Sequence, residues 1–63
     1  MSNVKAVEDY VVINGVLTPR WFPQVPGFQG EFVVPQAWVK SNCPNGFKLP
    51  NEALHAAEKF LFG

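Results

Sequence analysis

Apolar positions in this chain gather into short runs separated by turn-forming residues. Tyr10-Val11-Val12-Ile13 is a run of strand formers, and Val16-Leu17-Thr18 follows it across Asn14-Gly15. Asn-Gly between two such runs signals a hairpin, because a type I′ turn needs positive φ at both central residues. The spacing predicts strands at about 10–13 and 16–18, with Ile13 opposite Val16 and Val12 opposite Leu17. Pro19 lacks a backbone donor and is expected to end the second strand or hold it at an edge. Residues 1–8 read as a loose tail, although Val4, Ala6 and Val7 also suit an extension of the first strand.

From Arg20 to Gly30 the pattern loses any period. Pro23, Pro26 and Gly27 favour an extended loop with a turn, yet Trp21, Phe22, Val25 and Phe28 make it an apolar one. Such a loop either folds over the core or presents a sticky surface. Glu31-Phe32-Val33-Val34 is a third strand, interrupted by Pro35. Residues 36–41 fit two readings: a short helix starting at Pro35, or a strand. The strand is preferred, because Cys43-Pro44-Asn45-Gly46 reads as a turn and Phe47-Lys48-Leu49 can return beside it.

Residues 51–62 have helical spacing. Ala53, Leu54, Ala57, Phe60 and Leu61 fall on one side; Glu52, His55, Glu58 and Lys59 fall on the other. Asn51 suits the N-cap, and Glu52 and Lys59 oppose the helix dipole at its two ends. Phe62 lies off the apolar stripe. The predicted fold class is α+β: a small antiparallel sheet, begun by the Asn14-Gly15 hairpin and packed against a C-terminal helix at about 51–62. Residues 20–30 wrap one side, and residues 1–63 form a single small domain.

Composition sharpens this picture. Nine of the 63 residues are aromatic, and a domain this small buries only about 60% of the surface its unfolded chain exposes. More ring surface is present than the interior readily covers. Cys43 is the only cysteine, so no disulfide forms within the chain, and a lone thiol suits a reducing cytoplasm. Five basic and five acidic residues balance, and they are scattered. That weighs against a phosphate-backbone binder, which needs clustered positive charge. It also leaves little repulsion between copies. The N-terminus has no signal-peptide pattern and the chain has no apolar run long enough to span a bilayer. The expected setting is the cytoplasm, or the host cytoplasm for a viral protein. Chains of this size and composition often come from bacteriophages or bacteria.

Reacting groups are sparse. Cys43 and His55 supply only two soft ligands, too few for a private zinc site, and no motif joins them as nucleophile and base. The carboxylates Glu8, Asp9, Glu31, Glu52 and Glu58 lack a cleft to face across, and Gly27-Phe28-Gln29-Gly30 lacks the setting of a phosphate loop. Pro23-Gln24-Val25-Pro26 has P-x-x-P spacing, but its aromatic neighbours favour burial over display. No catalysis, cofactor or metal is expected. The reading is a small accessory protein that binds a larger protein, or its own copy, as inhibitor, modulator or assembly subunit. Arg20, Trp21, Phe22 and Phe28 are the expected contacts, since Trp and Arg dominate interface hot spots and prolines limit the entropy lost on docking. The alternative is a small nucleic-acid-binding regulatory factor that uses its rings for stacking.

Overall fold

A computed structural model describes residues 3–63. Strands β1 (Lys5–Ile13), β2 (Val16–Pro26) and β3 (Phe32–Val33) form an antiparallel sheet in the order β1-β2-β3. Two helices follow, α1 (Gln36–Asn42) and α2 (Pro50–Phe62). The fold is α+β, as the sequence predicts.

The hairpin turns at Asn14 (φ 52°) and Gly15 (φ 79°), the two positive angles of a type I′ turn. Ile13 pairs with Val16 and Val12 with Leu17, and the ladder continues to Lys5 opposite Gln24. The hairpin is therefore much longer than expected. Of the two readings of residues 1–8, strand extension holds from Lys5 onward, with Val4 buried just ahead of it. Met1 and Ser2 lie outside the described residues.

The expected loop at 20–30 is corrected too: residues 20–26 belong to β2, and only the turn at 27–31 joins β2 to β3. The prolines permit this because of which way each nitrogen faces. Alternate residues of an antiparallel strand turn their backbone groups to opposite edges. Trp21 turns both of its groups away from β1, donating to the Phe47 carbonyl (2.6 Å) and accepting from the Phe47 amide (2.8 Å). Pro19 and Pro23 lie two residues to either side, so their nitrogens face the same way and no bond to β1 is lost. Pro26 lies past the last β1–β2 pair. Proline here closes an edge instead of ending a strand.

Residues 36–42 form a helix, which overturns the preferred strand reading. In a strand Val39 and Cys43 would share a face but lie ~13 Å apart, whereas a helix stacks them one turn apart, and both are buried in one cluster with Phe22. The turn at 43–46 is as expected, with the Gly46 amide bonded to the Cys43 carbonyl at 3.0 Å. Helix α2 starts earlier than predicted. Leu49, not Asn51, is the N-cap, and Pro50 occupies the first helical position, where its missing amide and fixed φ cost nothing. Glu52 and Lys59 sit in the first and last turns as expected.

Strand alternation sorts the core into two clusters. Val7, Val11 and Phe22 share one face of the hairpin and pack with Val39 and Cys43. Val4 and Val25 pack on the other side against Ala57 and Leu54 of α2. Ala53, Ala56 and Ala57 are the buried residues of α2, so small side chains let this helix lie close. Trp38 and Phe60 meet edge to face at 5.7 Å and join the helices.

Candidate interaction surface

Strand β2 has eleven residues, and at ~3.3 Å per residue it extends about 36 Å. The longest dimension of the molecule is 35 Å. One strand thus runs its whole length, while α2 has thirteen residues and spans only ~20 Å at 1.5 Å each. The helix covers the base of the hairpin and leaves the outer half open.

On that outer half, Tyr10 stands opposite Pro19 and Val12 opposite Leu17. Alternation puts all four on one face, the same face that α2 covers at the base. Tyr10, Val12 and Leu17 are 63%, 66% and 68% exposed. Val16 is exposed on the opposite face, beside half-buried Ile13. A two-stranded ribbon is marginally stable in water by itself. Here the base anchors it through α2, β3 and the bridge from Trp21 to Phe47.

The residues expected to make contacts do not come together. Arg20 is half-buried opposite Asp9 in the ladder, and Trp21 is half-buried and tied to Phe47. Phe22 is buried in the core against Val39 and Cys43, so its expected role as a contact is corrected. Phe28 is fully exposed, but it sits on the β2–β3 turn, at the far end of β2 from the hairpin tip. The error came from reading the Pro-rich segment as a loop. Tyr10, Val12 and Leu17, which the structure leaves exposed, are not among the expected contacts, although the sequence carries a signal for their exposure. An unbroken apolar run through the hairpin needs cover on both faces, and the chain has one long helix to provide it.

A cleft of about 310 Å³ lies between β1 and α1, walled by Val7, Val11, Phe22 and Val39 with Asp9 and Lys40 at its lining. A groove of about 540 Å³ runs between the helices past Trp38, Phe47 and His55. Cys43 is buried in the core, and that burial pushes its thiol above the ordinary value of 9.0. His55 is exposed on α2. Among the described residues no three His, Cys, Asp or Glu side chains gather as metal ligands, and no helix is long and apolar enough to cross a membrane. Comparison with known protein families, curated proteins and solved structures found no match.

Proposed function

We propose that this chain works by binding a protein partner through the outer half of its hairpin. The observation that carries this reading is the uncovered face formed by Tyr10, Val12, Leu17 and Pro19. Its base-side continuation is sealed by α2, so this surface is arranged as an interface core with its second half missing. Rigid anchoring supports the same reading, since a preordered ribbon loses little entropy on docking. An apolar aromatic-bearing strip also matches the chemistry of hot spots. The role is that of an accessory protein: inhibitor, modulator or assembly subunit. A reducing, cytoplasmic setting belongs to the proposal, because the lone thiol of Cys43 is suited to it.

The test places a photo-cross-linking side chain at Leu17 and, as control, at exposed Gln29. The proposal expects one defined protein captured from Leu17, none from Gln29, and loss of capture when Val12→Asp is added. Equal capture from both positions, or capture indifferent to Val12→Asp, overturns it.

A further inference from the structure

The hairpin has two long edges, and the chain treats them differently. From Pro19 to Val25 the outer edge of β2 is closed: Pro19 and Pro23 offer no donor, Trp21 is bonded to Phe47, and Val25 pairs with β3. Among the described residues, the outer edge of β1 has no strand beside it. Because Trp21 faces away from β1, its ladder partner Glu8 faces away from β2, and Ala6 and Tyr10 follow by alternation. The Tyr10 amide confirms this facing: it donates not to β2 but to the Asp9 side chain, at 2.8 Å. Natural sheets usually blunt such an edge, and an open one is a template for strand addition.

We propose that β1 pairs along this edge with β1 of a second copy, antiparallel and centred on Val7. Charge complementarity selects both the occupant and the register. Pairing about Val7 sets Lys5 opposite Asp9 of the second copy, and Asp9 opposite its Lys5. These are non-hydrogen-bonded positions, where opposite side chains come closest. In the same register the outward-facing residues meet one another: Ala6 meets Glu8, and Tyr10 meets Val4. The Tyr10 amide then passes from the Asp9 carboxylate to the Val4 carbonyl of the second copy, and the Lys5 ammonium, which in the single chain lies over the Phe32 ring 4.5 Å from its centroid, swings to the freed Asp9. With five basic and five acidic residues, two copies carry no net repulsion. The two-fold axis stands normal to the sheet, so both uncovered Tyr10-Val12-Leu17 faces lie on one side. The dimer presents them as a bivalent surface. This edge is distinct from the face assigned above to a partner.

Sedimentation equilibrium of the full chain over roughly 1 µM to 1 mM tests the pairing, because a modest interface dissociates in that range. The wild type is expected to be a reversible dimer. Lys5→Asp and Asp9→Lys each set like charges opposite at two places, and each is expected to weaken the dimer about tenfold. The double variant Lys5→Asp/Asp9→Lys restores the opposition and brings the affinity back. Ala6→Pro removes an outward donor without touching the ladder to β2, and gives a folded monomer by circular dichroism. A wild type that is monomeric throughout overturns the pairing, as does a dimer indifferent to both single variants and to Ala6→Pro. A monomer that still cross-links a protein at Leu17 retains the partner-binding role and loses only self-pairing.

Discussion

At the base of the hairpin Val4, Pro23 and Val25 are buried, while on the same face of the outer half Tyr10, Val12 and Leu17 are open to water. Apolar character does not distinguish the two halves, since both sets of side chains are apolar. Cover does. The base lies under α2, whose Ala53, Ala56 and Ala57 permit close approach, and its β2 edge is bonded to β3 and to Phe47. The outer half is held by the β1–β2 ladder and the Asn14-Gly15 turn. Burial of apolar surface is worth roughly 25 cal/mol per Å², so the covered half stabilises the fold, and under the proposed function the open half would gain that free energy on binding a partner. Substitutions that separate stability from binding test this division.

The largest expected effect is at the base. A Cβ on Gly46 would lie 2.9 Å from both the Phe22 ring and the Trp21 carbonyl, at φ +69°. The carbonyl belongs to the Trp21–Phe47 bridge and has little room to retreat. Gly46→Ala combines backbone strain with a steric clash and is expected to lower stability by about 3 kcal/mol. Gly15→Ala at the tip shares the positive φ (+79°) but meets nothing within 4 Å. It carries the conformational penalty alone, about 1 kcal/mol. Urea unfolding of the two variants measures the contrast, and equal losses would remove the claim that the base is the tightly packed half.

Val25 and Leu17 give the same comparison in side chains. Val25 is 4% exposed and packs against Val4 and Ala57. Val25→Ala removes buried methyl groups and leaves a cavity, at a cost of about 2 kcal/mol. Leu17→Ser removes a larger apolar group from water-exposed surface and is expected to change stability by less than about 0.5 kcal/mol. Thermal melts of both, set beside partner capture, should show opposite patterns: Val25→Ala melts early, whereas Leu17→Ser melts normally and fails to bind. A Leu17→Ser protein that melts as early as Val25→Ala would mean the outer half contributes to the fold after all.

How legible this division was in the sequence follows from the range of the forces involved. Asn14-Gly15 fixed the turn and its flanking pairs, because positive φ is a local demand that few residues meet. The helix ending near Phe62 was equally plain from the spacing of Ala53, Leu54 and Ala57. What failed was non-local. Pro19 and Pro23 break a strand only when their nitrogens face the partner, and that facing is set by a register counted from the distant turn. Residues 36–42 became a helix because Val39 and Cys43 both find Phe22, a contact invisible to propensity. Phe22 went inward and Leu17 outward for the same reason. Hydrophobicity says that a residue seeks cover, but not which residues α2 is long enough to reach.

The smallest effect concerns Cys43, which sits on the covered side of this division. Its thiol is buried against Phe22 and Val39, and desolvation disfavours the thiolate, so its pKa in the folded chain lies above the ordinary 9.0. The sign follows from linkage. The unfolded chain releases the proton first as pH rises, so Cys43 contributes its full stability below the unfolded value. That contribution falls away as pH climbs from there through the raised native value. Contributions common to both proteins cancel in a comparison, so the quantity to measure is the difference between wild type and Cys43→Ala. That difference is expected to stay flat in neutral solution and shift against the wild type above about pH 9. A thiol reagent gives the companion measurement: Cys43 should react slowly in the folded protein and at the free-thiol rate in urea. Fast reaction in native buffer would mean that the core beneath α1 opens readily, leaving the covered half less sealed than its packing implies.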